Sequence, residues 1–263
     1  NMKYQMNEKN SLRFAFSRTV TRPSFIEMAP FLYQESYGSA QIRGNADLQN
    51  GYNYNIDLRY ELFEKNGDML SITAYYKHLK APIERVQTLS GGSAVHSFRN
   101  ADNGMATGVE IEFRKEIVKD LRFGVNGSYM YTNVKLPEGG AYTNSQRALQ
   151  GASPYLANAD LTYSPAFSND RQLSVALLYN LQGPRIHSVG ISGLGDIKQQ
   201  PVHTLNFTGS YRFNRRFAVK LQVNDLLNQD ILFKQEVPTT GDKVEVERFR
   251  KGTGFEVGFS YDL

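Results

Sequence analysis

Apolar and polar side chains alternate with a period of two through ten stretches of this chain, and the connections between those stretches alternate in length. Residues i and i+2 of a strand share a face, so each stretch has one oily side and one wet side. The hairpin over residues 107–132 shows the pattern most fully. Val109, Ile111 and Phe113 alternate with Glu110, Glu112 and Arg114. After a short charged turn, Leu121, Phe123, Val125, Tyr129 and Tyr131 alternate with Arg122, Gly124, Asn126, Ser128 and Thr132. The same period predicts a strand at Leu12-Phe14-Phe16 and others over 52–63, 69–79, 155–163, 173–181, 205–213, 217–223 and 255–261.

The connections add a second constraint. From the second strand on, the tight ones (EKNGD, EIVKD, AFSND and FNRR) alternate with long ones near 80–103, 133–153, 185–201 and 227–252. An earlier long connection spans 19–50. In an up-and-down sheet this puts every long loop at one end and every tight turn at the other, as in transmembrane β-barrels.

The oily faces carry Tyr at many strand ends, among them Tyr52, Tyr60, Tyr76, Tyr129, Tyr131, Tyr155, Tyr163, Tyr179, Tyr211 and Tyr261. Phenols there suit a membrane interface, with the ring in hydrocarbon and the hydroxyl among headgroups. The opposite faces hold Asp57, Arg59, Glu61, Glu110, Glu112, Arg114, Asn126, Asp160, Asn180, Lys220 and Asn224, which are costly in a dry core unless fully paired. No apolar run reaches the length of a transmembrane helix, and a mean hydropathy of -0.47 is no argument against membrane strands, half of whose residues are polar. A soluble sheet with one face on a core shows the same alternation. Both architectures stay open on the pattern alone, with the loop asymmetry favouring the barrel.

Chemistry finds little foothold. The chain has no cysteine, which removes thiolate catalysis and disulfides, and a formal net charge of +4 spread along its length, which does not point to nucleic acid. His78, His96, His187 and His203 lack metal-ligand spacing and read as rim residues. Gly91-Gly92, Gly139-Gly140 and the run GISGLG at 190–195 read as flexible loop tips. Asn224, Asp225 and Asn228 lack the alternation of a calcium loop and read as a satisfied strand terminus. No nucleophile elbow or Walker loop is present, so no cofactor and no enzymatic activity are expected. The first residues, NMKYQMNEKN, contain no signal peptide.

Several runs resemble a known family: SRTVTRPSF (17–25), RGNADLQNGYNYNIDLRYELF (43–63), AYYKHLKAPIE (74–84), NGMATGVEIEFRK (103–115), LQGASPYLANADLTY (149–163), LLYNLQGPRI (177–186) and VNDLLNQ (223–229). Together and in this order they are similar to the C-terminal barrel of TonB-dependent outer-membrane receptors, most of all those of Bacteroidetes-type bacteria. The resemblance implies an all-β, transmembrane antiparallel β-barrel, with residues 1–263 as about the last ten strands of a barrel of about twenty-two. A closed ten-strand barrel is the architectural rival. On this reading the plug, TonB box and signal peptide lie outside the segment. The end, Tyr261-Asp262-Leu263, departs from the aromatic terminus common in the family.

The resemblance also implies function. It predicts active nutrient import across the outer membrane of a Gram-negative bacterium. The partners would be the protein's own N-terminal plug domain, the TonB-ExbB-ExbD complex acting through that region, outer-membrane lipids and, in some such systems, a surface lipoprotein. Arg22, Phe25, Tyr33 and Tyr37 are the loop residues expected to meet a ligand. Arg59, Glu61, Glu110 and Glu112 are expected to face the plug from the lumen. A passive porin and a non-transporting surface binding barrel are the alternatives.

Overall fold

The computed structural model describes residues 1–35, 41–64, 66–90, 93–135, 146–165, 167, 170–190 and 193–261. Its main sheet is an antiparallel meander in chain order. The strands are β1 (Met2–Gln5), β2 (Asn10–Thr21), β3 (Gly51–Phe63), β4 (Met69–Lys80), β5 (Asn103–Val118) and β6 (Leu121–Lys135). They continue as β7 (Tyr155–Tyr163), β8 (Gln172–Gln182), β9 (Val202–Arg212), β10 (Phe217–Asn224) and β11 (Gly254–Tyr261). All ten stretches expected from the alternation are strands.

The count of ten needs correction, because β1 precedes them. Its four residues are too few to show a period. Pairing of Met2 with Phe14 and Tyr4 with Leu12 continues the oily face onto it. The turn after β5 is also tighter than EIVKD suggests. The strand runs on to Val118 and leaves only Lys119-Asp120 in the bend, where Asp120 takes a φ of 66° and the register shifts at Leu121/Arg122.

The wall is a single layer with its polarity inverted relative to a water-soluble sheet. Register aligns Phe14, Leu58, Ala74, Val109, Tyr129 and Tyr155 across six strands, and Leu12, Tyr60, Ile72 and Ile111 in a neighbouring rung. This face is open: Phe16, Leu58, Ile111, Tyr129 and Phe255 are 59%, 47%, 48%, 65% and 75% exposed. On the other face Ser11, Glu61, Ser71 and Thr73 are buried. An apolar face this extensive is stable only against lipid or another apolar body.

The apolar core lies at the long-loop end. Two four-stranded sheets form there. In one, Leu32–Tyr33, Gln41–Arg43, Ser93–Asn100 and Ile83–Ser90 pair in that order. In the other, Arg185–Ser188, Ile197–Gln199, Ile231–Glu236 and Lys243–Phe249 do so. A parallel bridge between Val86 and Val189 joins them. Ile42, Leu48 and Phe98 form a buried cluster beneath the first sheet, with Met28, Tyr33 and Ile83 packed on it. The described parts of the long connections are therefore built structure.

Candidate functional site: the polar face and the loop-end sheets

The site begins with a rung of polar residues set by strand register. Ser11, Glu61, Ser71, Glu112, Asn126, Asn158, Asn180 and Thr204 stand side by side across β2–β9. Asn158 donates to the Asn126 Oδ1 at 2.7 Å, and Asn180 donates in turn to Asn158. Glu61, 5% exposed, accepts from the Ser11 hydroxyl at 3.0 Å, from Arg13 Nε at 2.7 Å and from Arg59 Nε at 3.0 Å. Arg59 reaches on to Glu112 at 3.6 Å, which also pairs with Arg114 at 2.7 Å.

All four residues expected to face the lumen share this face. The wall itself pairs Glu61 and Glu112, so neither needs an outside partner for its charge. Glu110 has no hydrogen bond or ion pair among the described residues and is exposed on the same face. It is the carboxylate left open to an incoming partner.

The expected loop contacts separate. Pro23 and Ser24 lead into a one-turn helix, Phe25–Met28, closed by a capping box in which the Glu27 amide donates to Ser24 Oγ and Ser24 N donates back to the Glu27 carboxylate at 2.7 Å. The helix holds Phe25 outward, 96% exposed, with Arg22 also exposed. Gly44 allows this packing, since a Cβ there would lie 2.4 Å from the Ala29 carbonyl oxygen. Tyr33 instead packs into the loop-end cluster and lies edge-on to Phe31 at 6.2 Å; burial and then Glu35 push its phenol pKa up. Tyr37 lies outside the described residues, as do Gly91-Gly92 and Gly139-Gly140.

Sequence reading missed the loop-end polar cluster. His96 and His187 are far apart in the chain, yet their rings meet edge-on at 6.4 Å, and His187 stacks edge-on against Phe233 at 4.9 Å. His96 is buried and belongs to a sheet, so it is not a rim residue. Its Nδ1 accepts from Arg85 Nε at 2.8 Å, and its Nε2 lies 3.3 Å from the Ser188 hydroxyl. An imidazole that accepts at Nδ1 is neutral, with its proton on Nε2. Burial, followed by the Arg85 and His187 charges, lowers its pKa to about 4. Arg85 continues to Glu35 at 3.0 Å. Beside them Glu84 and Arg147 form a buried ion pair, in which burial pushes the carboxyl up and Arg147 opposes it. Only tertiary pairing of five separate connections assembles these groups.

The other expectations resolve individually. In the GISGLG run, Gly193 is exposed at φ 83°, but Gly190 and Gly195 are packed, with Asp196 Oδ1 accepting from Gly190 N at 3.0 Å. Asp225 and Asn228 adopt positive φ in the turn after β10. Asp225 N donates to Asn206 Oδ1 at 2.8 Å, but Asp225 Oδ1 and Asn228 Oδ1 are buried without partners, so this terminus is only partly satisfied. Among the described residues no group of three His, Cys, Asp or Glu could hold a metal ion.

The model of the outer membrane protein beta-barrel family matches residues 1–261. Among solved structures, the chain is similar to a mutant ferric enterobactin receptor (PfeA) from Pseudomonas aeruginosa in complex with enterobactin. That match has a TM-score of 0.63 at 20% identity, over 98% of this chain and 39% of the receptor. It is also similar to the siderophore receptor PirA from Acinetobacter baumannii, at 0.61 and 14% identity over 98% and 40% of the two chains. The ferric yersiniabactin uptake receptor FyuA from Yersinia pestis matches at 0.64 and 13% identity, over 99% and 36%. No curated protein matches the sequence. The chain thus spans about two fifths of the length of the receptors it matches, and at these identities the likeness is one of fold.

Proposed function

We propose, from the premise that the chain belongs to the outer membrane protein beta-barrel family, that it forms wall and external loops of a TonB-dependent importer. The observation that carries this reading is the inverted sheet. Its apolar face is open along most of the wall, its polar face carries the charge network around Glu61, and its long connections fold into a separate assembly at one end. That combination suits a barrel with a wet interior and an elaborate external mouth. We take the wall as part of a barrel of about twenty-two strands, in which a plug fills the polar interior and TonB acts through the plug. The protein performs no chemistry of its own.

The solved structures that match are named for ferric siderophore uptake, so a ferric siderophore is the first ligand class to test. Phe25 and Arg22 on the capped turn are the loop contacts this reading retains, and Glu110 is the plug contact.

The test is uptake of radiolabelled iron, supplied as ferric siderophores, by cells carrying the full-length gene. The reading expects uptake that vanishes when tonB is deleted. Uptake that persists without TonB identifies a passive porin, and surface binding without uptake identifies a binding barrel.

A further inference from the structure

Two rungs of the outward face, just beyond the tyrosines at its loop end, carry cations and no carboxylate. The tyrosine rung holds Phe16, Ile56, Tyr76, Thr107 and Tyr131 in register across β2–β6. The next rung toward the loops is Arg18, Tyr54, His78, Met105 and Asn133. The one after is Val20, Tyr52, Lys80, Asn103 and Lys135. Strand rise sets these rungs roughly 7 and 14 Å beyond the tyrosines.

Direct contacts fix the face. The Arg18 guanidinium lies 4.5 Å from the Tyr52 ring centroid and 5.7 Å from that of Tyr54, whose ring stands 6.2 Å from His78. A shallow hollow of about 340 Å³ joins Tyr76 and His78 to Asn133 and Lys135. The opposite side of these rungs is packed by Leu79 and Val134. Arg18, Lys80 and Lys135 are exposed and form no ion pair among the described residues. Asp102, the first carboxylate beyond them, meets Lys135 through the backbone, its amide donating to the Lys135 carbonyl at 3.2 Å, and its carboxylate forms no ion pair with the three among the described residues.

We propose that this belt binds the phosphate of an anionic membrane lipid in the leaflet on the loop side. Cations at headgroup depth above an aromatic row, on a surface that faces hydrocarbon, meet lipid phosphates before any soluble anion. Arg18 stacks on two phenols, which holds its guanidinium plane at the interface. The asparagines at 103 and 133 supply neutral donors between the charges. The proposal rests on the membrane reading of the apolar face.

The test uses the full-length protein in nanodiscs of phosphatidylcholine with a minor share of phosphatidylglycerol, and counts retained lipids by native mass spectrometry. The natural protein should retain phosphatidylglycerol at least about fivefold above its bulk share, since each basic residue near the surface contributes on that scale. R18Q/K80Q/K135Q should fall to the bulk share, whereas R18K/K80R/K135R should keep the enrichment. Equal thermal unfolding of the three proteins keeps the comparison one of binding rather than folding. Enrichment unchanged in the glutamine variant, or absent from the natural protein, overturns the proposal. Loss of enrichment on adding inorganic phosphate overturns its lipid source. Failure to enter the bilayer at all overturns the membrane reading with it.

Discussion

Glu84 and Arg147 form an ion pair at 2.6 Å with side chains only 1% and 4% exposed, and they come from two different long connections. Glu84 lies in the strand Ile83–Ser90, and Arg147 in the short strand Gln146–Arg147 that pairs antiparallel with the end of β6. The pair therefore ties the loop-end sheet to the wall. Glu84 Oε1 and Arg147 Nε have no further partner, so the pair has desolvated both charges without satisfying every polar atom.

Breaking this pair from one side should be costly. Glu84→Ala leaves a buried guanidinium and should cost about 3–5 kcal/mol of local stability. The double variant E84L/R147M should recover most of that. Denaturant unfolding of the full-length protein, read together with amide exchange over residues 83–86 and 146–147, checks it. A single variant as stable as the natural protein would contradict the assignment.

Glu61 anchors the wall's charge network and should respond more mildly. Glu61→Gln leaves Arg13 and Arg59 facing each other without their shared carboxylate. Their side chains are 43% and 35% exposed, so solvent compensates in part and the loss should be about 1–2 kcal/mol. The readout is again denaturant unfolding. An unchanged midpoint would mean the network contributes nothing measurable.

His96 predicts a pH dependence at the loop end. Its pKa falls from 6.5 to about 4 in the folded protein. The unfolded chain therefore takes up the proton first as pH drops. The contribution to stability is complete above pH 6.5 and is lost as pH falls from there toward 4, by about 1.4 kcal/mol per pH unit. Amide exchange of residues 95–100, corrected for intrinsic rate, should rise across that window; His96→Gln should remove its share of the rise and leave that of His187, whose pKa burial also lowers. A natural protein that shows no such rise disproves the point.

Phe25 separates binding from folding. Its side chain touches little, so Phe25→Ala should leave stability within about 0.5 kcal/mol. If the capped turn meets the ligand, affinity should fall about tenfold, the loss of a single modest anchor. Isothermal titration of the full-length protein with its imported ligand decides. Unchanged affinity removes Phe25 from the site.

Glu110 tests the plug. Removing this open carboxylate in Glu110→Ala should increase plug mobility, measured by spin-label spectroscopy on the plug of the full-length protein, with ligand affinity little changed. The opposite result, a fixed plug and weakened binding, would assign Glu110 to the ligand.

Periodicity alone was enough to build the wall. A period of two decides which side chains share a face, so Val109, Ile111 and Phe113 had to part from Glu110, Glu112 and Arg114 whatever the strand packs against. The alternation of connection lengths then assigned every long loop to one end. What periodicity cannot carry is pairing between segments distant in the chain. Met2–Gln5 is visible as a strand only once Phe14 and Leu12 are its neighbours. Arg59, Glu61 and Glu112 were legible as a polar face, but their mutual pairing through Arg13 and Arg114 depends on register across four strands. The loop-end cluster was least legible. His96 and His187 each sit in sequence that reads as loop, and no local rule brings together side chains 91 positions apart. They meet because strand pairing at the loop end, bridged at Val86 and Val189, gives long connections a hydrogen-bonded alternative to water.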